Sequence, residues 1–143
     1  MRQVFHFLFV IAFFLTCSSS LSAQNQHLQK GNRSYENKEY STAINFYEKY
    51  LKSSDNIDVK RKLVFCYLET HNDNEAIYLL ENIVNNSLAK PKDYLNYANL
   101  LKKTNNYEKA KVWFLKYAEF NPQDKYVQNL IVSCSLIKEL EDQ

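Results

Sequence analysis

One glycine and two prolines among 143 residues leave this chain almost without punctuation. Sheet proteins of this size turn often, and tight turns draw on glycine and proline for their special backbone angles. Their scarcity argues against an all-β design and favours helices joined by short polar turns. It also excludes a glycine-rich phosphate loop and a Gly-x-Ser-x-Gly nucleophile elbow. Histidine is equally sparse: His6 lies in an apolar N-terminal run, His27 at the start of the first helical segment and His71 in a later turn. A metal needs convergent ligands at fixed spacing, so no metal, cofactor or enzymatic constellation is implied. Charge of one sign is missing too, with 18 Lys and Arg against 16 Asp and Glu, interspersed, so nucleic acid is not an implied partner. What is present is aromatic: 11 Tyr, 9 Phe and 1 Trp. A disordered chain does not carry that much burial capacity, and the length fits one domain.

The N-terminus reads as a targeting segment, residues 1–23. Arg2 is the only charge before Lys30, and the apolar run Val4–Leu15 is about twelve residues long, too short to cross a hydrocarbon core comfortably. A charged tip, a short apolar stretch and a small-residue exit make a secretory signal peptide, with cleavage after Ala23. A second route runs through Cys17, because Phe14-Leu15-Thr16-Cys17 is similar to a bacterial lipobox. An uncleaved anchor is a third. The membrane is therefore a partner only if Cys17 is lipidated or the signal is retained, and the protein is expected to be exported, periplasmic or outer-membrane associated.

Three stretches align downstream: Gly31–Asn56, Val64–Ala89 and Ala98–Gln123. Their central alanines, Ala43, Ala76 and Ala110, are separated by 33 and 34 residues. Each stretch reads as two helices that cross closely at small residues: Gly31, Val64 and Ala98 on the first helix and the three alanines on the second. Large residues fill the gaps, among them Tyr40, Tyr47, Leu63, Tyr67, Leu80, Tyr97, Leu101, Tyr107 and Phe114. Within the second helices apolar residues recur at helical spacing, as in Ala43, Phe46, Tyr47 and Tyr50. The segments Asn37–Tyr40, Asn72–Glu75 and Asn105–Glu108 are expected to be the turns within each pair. Pro91 opens the third repeat and Pro122 follows it. Residues 124–140 then read as a capping helix, which a repeat array needs to cover its last apolar face. The apolar Leu136–Ile137 side of that helix is expected to meet more protein or a C-terminal continuation of the chain.

This period and pattern resemble the tetratricopeptide-repeat (TPR) family over about residues 27–123 plus the cap. The resemblance implies an all-α, right-handed superhelix of three TPR helix pairs (about 24–56, 57–90 and 91–124) in a domain spanning 24–143. It implies no enzyme but a module that binds a protein or an extended peptide. The stretch Tyr97–Pro122 is also similar to the N-terminal region of exported Gram-negative envelope proteins. An adaptor or scaffold in the envelope is the expected function. Alternatives are the leading part of a longer peptidoglycan-associated or secretion-system protein, and a lipoprotein adaptor anchored through Cys17.

TPR arrays bind peptides along their first helices, and transfer by repeat position nominates Leu28, Asn32, Tyr35, Arg61, Phe65, Leu68, Lys92, Leu95, Asn99 and Lys102. Some members clamp a terminal carboxylate; Asn32 and Lys92 match that clamp, but Leu28, Phe65 and Asn96 stand at other clamp positions. A mixed groove follows, in which Leu28, Phe65 and Leu95 take side chains while Asn32 and Asn99 bond the ligand backbone. Cys66 and Cys134 stand two repeats apart, about 20 Å in a helical stack, beyond the reach of a disulfide. They are expected to be buried thiols. The sequons Asn32-Arg33-Ser34 and Asn85-Asn86-Ser87 read as chance in an Asn-rich chain.

Overall fold

The computed structural model describes residues 23–141, and the targeting segment up to residue 22 lies outside them, as do residues 142 and 143. Among the described residues there are seven helices and no strand: α1 (23–36), α2 (Tyr40–Leu51), α3 (Ile57–Glu69), α4 (Asp73–Val84), α5 (Pro91–Lys103), α6 (Tyr107–Ala118) and α7 (Lys125–Glu141). None of them is long and apolar enough to cross a membrane. The chain divides into two compact units, with the boundary at Cys66 and Tyr67.

Helix starts follow from local chemistry. Asn56 Oδ1 accepts the backbone N–H groups of Asp58 and Val59 at 3.0 and 3.1 Å, capping α3. Pro91 occupies the first turn of α5, where its missing N–H costs nothing, and the Asp93 carboxylate accepts the Lys90 N–H at 2.8 Å. Asn106 caps α6 by accepting the Lys109 N–H, and Asp124 caps α7 by accepting the Val127 N–H. Asn72 precedes α4 without capping it: its side chain donates to the Thr70 hydroxyl at 2.8 Å instead.

The three turns within helix pairs share one geometry. Lys38, His71 and Asn105 have φ of 62°, 60° and 62°, and each sits five residues before a central alanine. Around them the Glu39, Asn72 and Asn106 N–H groups reach back to the Ser34, Tyr67 and Leu101 carbonyls, all at 2.8 Å. The Lys38, His71 and Asn105 N–H groups reach Tyr35, Leu68 and Lys102 at 3.0 to 3.2 Å. These are Schellman closures, whose left-handed residue is usually glycine; here none is. Three residues, Thr70, His71 and Asn72, separate α3 from α4, so the second turn falls earlier than the sequence predicts. Asp73, Asn74 and Glu75, expected in the connection, form the first turn of α4, where Asp73 and Glu75 suit the positive end of the helix dipole. Tyr40, Tyr107 and Glu108 likewise begin their helices.

In unit 1 the single glycine is spent on a helix crossing. A Cβ on Gly31 of α1 would stand 2.7 Å from two ring carbons of Tyr47 on α2, so only glycine admits that ring unshifted. Ala43 and Tyr47 are fully buried, joined by Tyr50, Val59, Leu63, Val64 and Cys66. In unit 2, α4 packs on α5, α5 on α6 and α6 on α7. Its core is Ala76, Leu80, Ile83, Tyr97, Ala98, Leu101, Ala110, Phe114, Val127 and Cys134. The predicted small sites are all buried, and so are the predicted large residues except Tyr40 and Tyr107, which are half-buried at helix starts. Neither Cys66 nor Cys134 forms a disulfide, and both thiols are buried.

Candidate functional site

Within unit 1, α1 and the first part of α3 carry five of the nominated residues. Tyr35 and Phe65 meet edge to face at 5.6 Å, and Tyr40 joins them at 6.2 and 5.6 Å from the two rings. Phe65 stays 40% exposed in that cluster, a large apolar surface braced by neighbours yet open to solvent. The Lys62 ammonium lies 5.7 Å from the Tyr35 ring centroid, within cation–π range, and donates to Asn32 Oδ1 at 2.7 Å. The same oxygen accepts from the Tyr47 hydroxyl at 3.0 Å. The Asn32 carbonyl is therefore committed inside the unit. Leu28 is half-buried, and Arg61 pairs with Asp58 at 2.6 Å.

Unit 2 carries the other five. Lys92, Leu95, Asn99 and Lys102 stand at i, i+3, i+7 and i+10 along α5, one face of that helix. The opposite face is buried through Asp93, Tyr97, Ala98, Leu100 and Leu101. Lys92 and Asn99 are exposed, while Leu95 and Lys102 are half-buried; Leu68, in the last turn of α3, is half-buried as well. Such a face offers two cations, an amide and an aliphatic side chain to a ligand, which suits a chain with carboxylates and backbone carbonyls.

Two further features of unit 2 were missed from the sequence. Lys109 on α6 pairs with Glu81 on α4 at 2.6 Å while lying 5.6 Å from the Tyr97 ring centroid. The hydrogen bond lowers the Glu81 carboxyl and raises the Lys109 ammonium from their ordinary values. Burial pushes the Tyr97 phenol up, against the opposing effect of Lys109. Lys103 also ties α5 to Asp73 of α4 at 2.6 Å. The second feature is an open cleft of about 540 Å³ lined by Val84, Tyr94, Val112, Trp113, Leu115 and Lys116 among others. Tyr94 forms its aromatic wall, stacked on Trp113 at 5.7 Å and on Phe120 at 6.0 Å. The run Val112-Trp113-Phe114-Leu115 held the signal: four consecutive apolar residues span more than one buried stripe of a helix, so some must face outward. Among the described residues, no three His, Cys, Asp or Glu side chains gather as a metal site.

No protein-family model and no curated protein matches the chain. Solved structures do match. The TPR domain of Arabidopsis OM64 is 21% identical, with a TM-score of 0.63 over 79% of this chain and 94% of that one. The first TPR of Spaghetti (RPAP3), solved bound to the HSP90 peptide SRMEEVD, is 18% identical, with a TM-score of 0.65 over 82% and 94%. The second TPR domain of human RPAP3, in complex with the HSP70 peptide SGPTIEEVD, is 15% identical, with a TM-score of 0.63 over 79% and 95%. Identities this low speak to architecture, and all three speak alike. With its repeat period, buried alanines and matching turns, the chain has the all-α fold of tetratricopeptide-repeat helix pairs.

Proposed function

We propose that this chain is an exported protein–protein interaction module, an adaptor or scaffold of the bacterial envelope that holds an extended segment of a partner along its first-helix faces. The observation that carries the reading is the state of those faces. Phe65 is open to solvent although braced by two tyrosines, and α5 presents Lys92, Leu95, Asn99 and Lys102 in one line. Aromatic anchors with satisfied surroundings dominate binding energy at interfaces. Two TPR neighbours were solved with peptides, which supports a peptide-like ligand and no catalytic role. Crosslinking capture from the native envelope tests this. Phe65→Glu and Asn99→Ala are each expected to abolish capture of the partner while circular dichroism stays helical; capture unchanged in both variants would end the assignment.

Export rests on the sequence of residues 1–23. Mass spectrometry of the mature N-terminus separates its forms: Gln24 for a cleaved signal, a lipidated Cys17 for an anchored adaptor, Met1 for a retained segment. A second reading, the leading part of a longer peptidoglycan-associated or secretion-system protein, rests on the sequence resemblance of Tyr97–Pro122 alone. A reading frame that continues past Gln143 in the genomic DNA would select it.

A further inference from the structure

Three consecutive cations stand in α3, and they are neutralised differently. Lys60 pairs with Asp55 and Arg61 with Asp58. Lys62 has no carboxylate within ion-pair distance among the described residues. Its ammonium donates to one neutral oxygen, Asn32 Oδ1 at 2.7 Å, and lies 5.7 Å from the Tyr35 ring centroid. Glu36, next to Tyr35 on α1, is exposed and makes no ion pair with it.

The place of this ammonium is fixed from behind. Asn32 Oδ1 also accepts the hydroxyl of Tyr47, a fully buried residue, so the amide cannot swing away without stranding a buried phenol. The Tyr35 ring is held in turn by Tyr40, Tyr47 and Phe65 at 6.2, 6.4 and 5.6 Å. Lys62 and Phe65 are three residues apart on α3, neighbours on one helix face, and both meet that same ring. A half-buried cation therefore stands beside the 40% exposed Phe65.

We infer, on the peptide-binding reading above, that Lys62 sets ligand specificity at the Phe65 anchor: it selects a segment whose apolar side chain is flanked by an internal Asp or Glu. An ammonium carries three donors, and the one protein oxygen it meets is neutral, so a carboxylate from outside completes its surroundings. Half burial has already removed part of its hydration, which makes an incoming opposite charge count for more there than at the open surface. The side chain is also ordered before the ligand arrives, so little freedom is lost on binding. Asn32 and Tyr47 act through Lys62 as positioning residues. A chain terminus is the poorer source of the carboxylate, because Leu28, Phe65 and Asn96 stand where a terminal clamp would place its polar groups.

NMR titration of the purified full chain with synthetic peptides tests this. Acetyl-Asp-Phe-Asp-amide should shift the Lys62 and Phe65 signals and bind about threefold to tenfold more tightly than acetyl-Asn-Phe-Asn-amide. Lys62→Met keeps the apolar stem and should erase the preference, whereas Lys62→Arg should keep it. Asn32→Asp supplies the missing carboxylate from within at almost the same shape, so it should erase the preference too, with helical circular dichroism retained. Equal affinities for the two tripeptides, no binding of either, or a preference that survives both Lys62→Met and Asn32→Asp overturns the assignment. So does acetyl-Asn-Phe with a free terminal carboxylate binding as tightly as the acidic tripeptide. The failures are separable: capture lost in Phe65→Glu together with equal tripeptide affinities overturns the role of Lys62 alone, while selective tripeptide binding with capture unchanged in Phe65→Glu overturns the envelope-partner reading alone.

Discussion

Repeats one and three lie in different units, and a shift of 67 residues lays one sequence on the other: Gly31 on Ala98, Asn32 on Asn99, Lys38 on Asn105, Ala43 on Ala110, Tyr47 on Phe114. The same crossing is built with different volumes. Repeat three buries Ala98 and Phe114. Repeat one removes a methyl group at Gly31 and puts a hydroxyl on the opposing ring, and that hydroxyl then needs a partner because it is buried. Asn32 supplies it, with Lys62 sharing the acceptor oxygen. The equivalent Asn99 lies beside no such phenol at its Phe114 counterpart and is exposed. One polar position in the repeat is therefore structural in unit 1 and available in unit 2.

Alkaline pH breaks this comparison most. Burial raises the Tyr47 phenol far above its ordinary value of about 10, and raises Tyr97 as well. A raised native value contributes stability that is complete below pH about 10 and is lost as pH climbs toward the native values, because only the unfolded chain ionises there. Cooperative loss of helicity above about pH 10 is expected, with tyrosinate absorbance rising in step. Tyr47→Phe should flatten that pH dependence more than Tyr97→Phe, since Lys109 opposes the effect of burial at Tyr97. Gradual tyrosinate formation in a fully helical protein would count against it.

Crossing geometry comes next. Gly31→Ala should destabilise by about 1–3 kcal/mol in urea unfolding, the cost of overpacking a ring that cannot retreat. Ala98→Gly should cost about 1–2 kcal/mol, through helix propensity and the loss of a buried methyl group. A Gly31→Ala protein as stable as the parent would mean that the first crossing admits a methyl group just as the one at Ala98 does. For the paired asparagines, Asn32→Ala should cost about 1–2 kcal/mol because it strands the Tyr47 hydroxyl, whereas Asn99→Ala should stay within about 0.5 kcal/mol. The smallest effect is a gain. Lys38→Gly and His71→Gly should each raise stability by up to about 1 kcal/mol by relieving a left-handed side chain. Asn105→Gly should gain less, since asparagine tolerates that conformation.

Legibility in the sequence followed the range of the interaction. The alanine register, Pro91, Pro122 and the capping helix depend on local periodicity, and each stands where the pattern put it. Turn boundaries were read less well. Asp73, Asn74 and Glu75 look like a turn by composition, yet a closure over Thr70, His71 and Asn72 leaves them helical. The Lys109–Glu81 pair was invisible, because its members come from different helices and share no spacing, and the Tyr94–Trp113–Phe120 stack left only the apolar run Val112–Leu115 as a signal.

By itself the sequence determined the helix pairs, because a small residue every 33 or 34 positions permits close crossing only in that arrangement. It also determined that Gly31 is buried rather than in a turn. Only the tertiary structure decided which of two equivalent asparagines is occupied, that Phe65 is exposed while Tyr47 is not, and that α7 keeps an open aliphatic ridge. Those outcomes depend on what stands opposite each side chain across a helix interface. One chemical pattern repeated along a chain meets a different neighbour at every repeat.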